Sequence, residues 1–98
     1  MRLSEKEIEM IKTTFKEVFN EGSIYLFGSR VDNTKRGGDI DLYIDIIDSI
    51  SLNEISSKKS QFRLKLYDKI GEQKIDIVIS KDKNRSIEKE IIKTGILL

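Results

Sequence analysis

Residues Asp39 to Ile47 read as a strand, with polar and apolar residues alternating from Asp39 to Ile46. Ile40, Leu42, Ile44 and Ile46 fall on one side, and Asp39, Asp41, Tyr43 and Asp45 on the other. A period of two is the period of a strand. The stretch therefore predicts a strand with one core face and one acidic face. A strand of this kind must bury its isoleucine face against another layer of secondary structure. On its other face, Asp39 and Asp41 project together, with Cα atoms roughly 7 Å apart.

The flanking segments supply the strand's partners. Ser4 and Glu7 form a capping-box pattern ahead of Ile8, Ile11, Phe15, Val18 and Phe19, which recur at helical spacing. This predicts a helix from Glu5 to Asn20, ended by Glu21-Gly22. Ser23 to Phe27 is short, apolar and bounded by glycines, and predicts a buried strand. Residues Ser29 to Gly38 are polar with turn signals at Asp32-Asn33 and Gly37-Gly38, and predict a loop. Ile55, Phe62, Leu66 and Ile70 mark a second helix, starting at Leu52 or Asn53 and ending before Gly71. Lys74 to Ser80 predicts a third strand, with Ile75, Ile77 and Ile79 on one face and Asp76 and Val78 on the other. Arg85 to Lys93 predicts a helix with Ile87, Ile91 and Ile92 inward, closed by Gly95. The expected fold class is α+β: one small mixed sheet with helices on one face, in a single domain over residues 1–98.

Composition narrows the chemistry. The chain has no cysteine and no histidine, so thiolate sites, disulfides and imidazole bases are excluded. A metal must then be held by oxygen, which favours magnesium or manganese over zinc. With 18 basic and 17 acidic residues the formal net charge is +1, so bulk charge indicates no direct nucleic-acid binding. The N-terminal residues lack a signal-peptide core, and no run approaches the ~20 apolar residues of a membrane span. The expected location is cytoplasmic.

A site can be assembled from three pieces. Asp39 and Asp41 can converge on metal ions; in two-metal phosphoryl transfer such ions lie about 3.5–4 Å apart. Asp76 interrupts an apolar run, so it is expected on a central strand, where an unpaired aspartate is costly. Beside the other two it can bind metal or accept a proton from an attacking hydroxyl. Gly28-Ser29 follows the first strand directly. Gly28 permits close backbone approach to a ligand, and Ser29 with the turn amides can hold phosphate oxygens. Arg30, Lys35 and Arg36 lie nearby and can balance a triphosphate. Each piece alone has a plainer explanation. A D-x-D pair often marks a solvated strand face, Lys35-Arg36 can be a solvated loop, and Tyr43 can line the pocket or stand exposed. Asp45 and Asp48 are expected at the surface or in a turn.

Together, Gly28-Ser29, nine intervening residues, Asp39-Ile40-Asp41 and the later Asp76 resemble the DNA polymerase beta-like nucleotidyltransferase superfamily. The flanking residues Tyr25-Leu26-Phe27-Gly28-Ser29-Arg30 and Gly38-Asp39-Ile40-Asp41-Leu42 look specifically like its minimal nucleotidyltransferase (MNT) group. The resemblance implies ATP or another nucleoside triphosphate as substrate and two Mg2+ ions, with Mn2+ as a substitute. It implies that Asp39 and Asp41 bind both metals, that Asp76 completes one metal site and helps activate the acceptor, and that Gly28 and Ser29 hold the triphosphate. Arg30 and Arg36 join the nucleotide-binding set.

Members of this group often pair with a HEPN-domain RNase toxin, which the MNT protein neutralises by transferring AMP to a toxin tyrosine. The resemblance therefore implies an antitoxin with a HEPN partner. Larger relatives carry a further domain for the acceptor, for which this length leaves no room; a protein acceptor is expected. The alternatives are a non-catalytic module that neutralises its partner by binding, and nucleotidyl transfer to a small molecule or RNA.

Overall fold

The computed structural model describes residues 3–28, 40–46, 51–81 and 84–98. Helix α1 spans Glu5–Val18 and α2 spans Leu52–Ile70. Strands β1 (Ser23–Phe27), β2 (Ile40–Asp45) and β3 (Ile75–Ile79) form the body of a sheet. Helix α3 (Ser86–Thr94) leads into a two-residue strand β4, Ile96–Leu97. The described sheet has the order β3-β2-β1-β4. Strands β1 and β2 are antiparallel, β1 and β4 are antiparallel, and β2 and β3 are parallel. The sheet is therefore mixed and the fold α+β, as the residue pattern predicts.

Local chemistry explains the element starts. The Glu7 amide donates to Ser4 Oγ at 3.1 Å and the Ser4 amide donates to Glu7 Oε1 at 3.1 Å, closing the capping box of α1. The Glu54 amide donates to Ser51 Oγ at 3.2 Å at the start of α2. A parallel pair cannot be joined by a tight turn, so β2 and β3 need a long crossover, and α2 lies on it.

One face of the sheet carries the core. Ile24 and Leu26 of β1, Ile40, Leu42 and Ile44 of β2, and Ile75, Ile77 and Ile79 of β3 pack with Ile11, Phe15 and Phe19 of α1 and its C-cap, and with Phe62 and Leu66 of α2. Burying each such side chain contributes about 1.5–3 kcal/mol. The rings of Phe15 and Phe19 stack at 5.6 Å, and Phe19 meets Phe62 edge-on at 6.1 Å.

Three expectations need correction. First, α3 does not join α1 and α2. It reaches Tyr43, whose side chain points away from the core face, so helices cover both faces. Second, α3 does not bury Ile87, Ile91 and Ile92 alike. It buries Ile91 and Glu88, while Ile87 and Ile92 are exposed. Third, β4 carries no strand signal in the sequence. Two residues are too few for a period, and its pairing with β1 decides its conformation.

Candidate active site

The parallel pairing of β2 and β3 places Asp41 and Asp76 directly opposite each other in register. Neighbouring strands lie about 4.7–4.9 Å apart, so the two carboxylates start from adjacent backbone positions. Both alternate with core residues (Ile40 and Leu42 for Asp41, Ile75 and Ile77 for Asp76), so both project from the face opposite α1 and α2. Asp41 is half-buried and Asp76 is exposed. The expectation of a central strand for Asp76 fails, because β3 is an edge strand of the described sheet. Water reaches this carboxylate, so burial cost does not explain its presence. The strand order instead sets β3 beside β2, and Asp76 beside Asp41.

On the other side of β2, Phe27 pairs with Asp41, and Gly28 follows Phe27. Gly28 has φ +78°, a left-handed conformation that side chains disfavour. A Cβ built there would overlap Asp41 Oδ2 and stand 3.1 Å from its Cγ. The glycine therefore does more than free the backbone for a ligand. It leaves room for the Asp41 carboxylate itself. Asp41, Asp76 and Gly28 thus come together, drawn from three segments of the chain. Ser29, Arg30, Lys35, Arg36, Asp39 and Asp48 lie outside the described residues. Beside Gly28, a groove of about 520 Å³ runs between Phe27 at the end of β1 and the Ser86, Ile87, Glu90, Ile91 and Thr94 side of α3.

The family model described as polymerase beta, nucleotidyltransferase matches residues 9–98. This chain belongs to that family. The match takes in Gly28, Asp41 and Asp76 together, so the carboxylate pair lies within a nucleotidyltransferase domain. No curated protein matches the chain as a relative. The nucleotidyltransferase family generally uses divalent metals such as Mg2+. Among the described residues no group of three candidate metal ligands is gathered. The donor set still fits a hard cation. Two carboxylates stand side by side facing solvent, and a small ion of this type keeps waters and substrate phosphates as its other ligands. No described helix is long and apolar enough to cross a membrane.

In this nucleotidyltransferase the second polar position of β2 has a different fate. Tyr43 is neither exposed nor a pocket residue; it is fully buried. Its hydroxyl donates to Glu88 Oε1 at 2.8 Å, and its ring packs against Tyr25 at 5.8 Å. Glu88 is also fully buried. The Lys81 amide donates to both its carboxylate oxygens at 3.2 Å, and Arg85 Nε lies 3.3 Å from Oε2. A buried carboxylate is tolerable only when its lone pairs are met in this way. Burial pushes the Tyr43 hydroxyl far above the usual phenol range, and the Glu88 carboxylate adds to the shift. Sequence reasoning missed Glu88 because a glutamate among Lys89, Glu90 and Arg85 reads as surface. The available signal was its position three residues before Ile91, which puts both on one helical face.

Proposed function

We propose that the chain is a minimal nucleotidyltransferase, a single catalytic domain over residues 1–98, that transfers AMP from ATP to a tyrosine of a partner protein. The partner in this reading is a HEPN-domain RNase toxin, and the chain is its cytoplasmic antitoxin. The observation that carries the proposal is the register of Asp41 against Asp76, beside Gly28, in a chain of the nucleotidyltransferase family.

Asp39, Asp41 and Asp76 would hold two Mg2+ ions, or Mn2+ in their place. When bound, such ions neutralise phosphoryl charge and acidify a coordinated hydroxyl. Ser29, the backbone at Gly28, Arg30 and Arg36 would orient the triphosphate. Asp76 is open to solvent and would accept the proton of the tyrosine hydroxyl of an approaching partner. The tyrosine oxygen bonds to the α-phosphorus. The bond from that phosphorus to the bridging oxygen breaks, and pyrophosphate leaves with the electron pair.

The test is intact-mass measurement of the protein encoded next to this chain's gene, after incubation with the chain, ATP and Mg2+. One added AMP on a tyrosine is expected, and it should vanish with Asp41→Asn or Asp76→Asn. Undiminished labelling by both variants would sink the assigned roles. Neutralisation of the partner with no mass gain would instead identify a binding module.

A further inference from the structure

We propose that the groove between the end of β1 and α3 receives the base of the nucleoside triphosphate, an amine-bearing purine, whose exocyclic amine donates to the Glu90 carboxylate. This rests on the reading of the chain as acting on a nucleoside triphosphate.

Position comes first. Phe27 lines the groove and pairs with Asp41, and Gly28 lines it while abutting the Asp41 carboxylate. The groove therefore opens beside the carboxylates proposed to handle the α-phosphate. One sugar separates that phosphate from the base.

Size and polarity come next. A volume of about 520 Å³ suits a nucleoside; small-molecule sites generally span about 300–1,000 Å³. Phe27, Ile87 and Ile91 supply apolar area for a flat ring.

Charge decides which end of the nucleotide enters. Among the described residues lining the groove there is no lysine or arginine, and Glu90 is the one charged side chain among them. A carboxylate repels phosphates. An ionised carboxylate accepts hydrogen bonds and donates none, so it selects a base edge that carries a donor. The Thr94 hydroxyl is already directed to the Glu90 carbonyl at 2.8 Å. Of the described polar side chains lining the groove, Ser86, Glu90 and Thr94, the Glu90 carboxylate is the one that accepts without donating, so it selects for an amine.

The test measures binding of ATP and of purine riboside triphosphate, which lacks only the 6-amine, in the presence of Mg2+. The wild type should prefer ATP by about tenfold, the usual worth of a charge-assisted hydrogen bond. Glu90→Ala should weaken ATP by about the same factor and bind both nucleotides equally. Ile87→Ala should weaken both by about fivefold. Glu90 and Ile87 are exposed, and circular dichroism should report unchanged folding. If phosphates occupied the groove, removing the carboxylate would tighten ATP binding; that result, or no change in either variant, overturns the proposal. Lost transfer to the acceptor at unchanged ATP affinity would assign the groove to the acceptor and also overturn it. Failure of the wild type to bind ATP would sink the nucleotide reading as well, whereas normal binding with insensitive variants sinks the groove alone.

Discussion

Toward α1 and α2, strand β2 presents Ile40, Leu42 and Ile44, each fully buried; on its other face the same strand presents Asp41, Tyr43 and Asp45. The apolar face asks only for volume and close contact, and α1 and α2 supply both. On the polar face, every group must find a partner or water. Helix α3 makes that division. Where it covers the sheet, Tyr43 is buried and bonded to Glu88. Away from it, Asp76 stays exposed beside half-buried Asp41. The alternation that builds the core thus also builds the candidate site, and α3 determines which polar positions remain open to a substrate.

Four substitutions would break or sharpen this contrast. Phe62→Ala on the apolar face should cost about 3–5 kcal/mol in chemical denaturation, a large share of what a small domain has. Asp41→Asn should lower nucleotidyl transfer by at least about a hundredfold, measured at a temperature where the variant is folded. A fully active Asp41→Asn protein would remove Asp41 from the proposed chemistry. Gly28→Ala should combine both kinds of defect. Its positive φ and the overlap with Asp41 should cost about 2–3 kcal/mol, and transfer should fall with it.

Tyr43→Phe should have the smallest effect, about 1–2 kcal/mol, because one bond to a buried carboxylate is lost. It also carries a pH signature. The hydroxyl's folded pKa lies above its unfolded value, so the native state holds that proton more tightly. The stabilisation is whole below about pH 10 and drains away as pH rises from there toward the folded value. Denaturation against pH should show a steeper alkaline loss in the wild type than in Tyr43→Phe. Equal slopes would mean that Tyr43 is not buried as described.

Much of this contrast is legible before any coordinates. The strict alternation of β2 and the helical stripe of α1 each follow one physical rule, and the structure agrees with both. The spacing of Gly28 and Asp41 suggests that they lie close together, and the structure sets Gly28 against the Asp41 carboxylate. What escaped depends on contacts between distant segments. Asp76 was expected on a central strand because its neighbours are isoleucines, but strand order is not a local property. Glu88 looked like a solvated charge because its partners, Tyr43 and the Lys81 amide, come from elsewhere in the fold. The two residues of β4 carry no pattern to read.

The close fit of Gly28 against Asp41 also has a meaning in the language of mutant cycles. A methyl group at position 28 and a carboxylate at position 41 compete for one volume. In an Asp41→Ala background the carboxylate is gone and only the Cβ, 3.3 Å away, remains, so the stability cost of Gly28→Ala should shrink toward the backbone term. For transfer the second lesion should add little to the first. Turn and carboxylate, thirteen positions apart along the chain, then count as one locus whose two substitutions are far from additive.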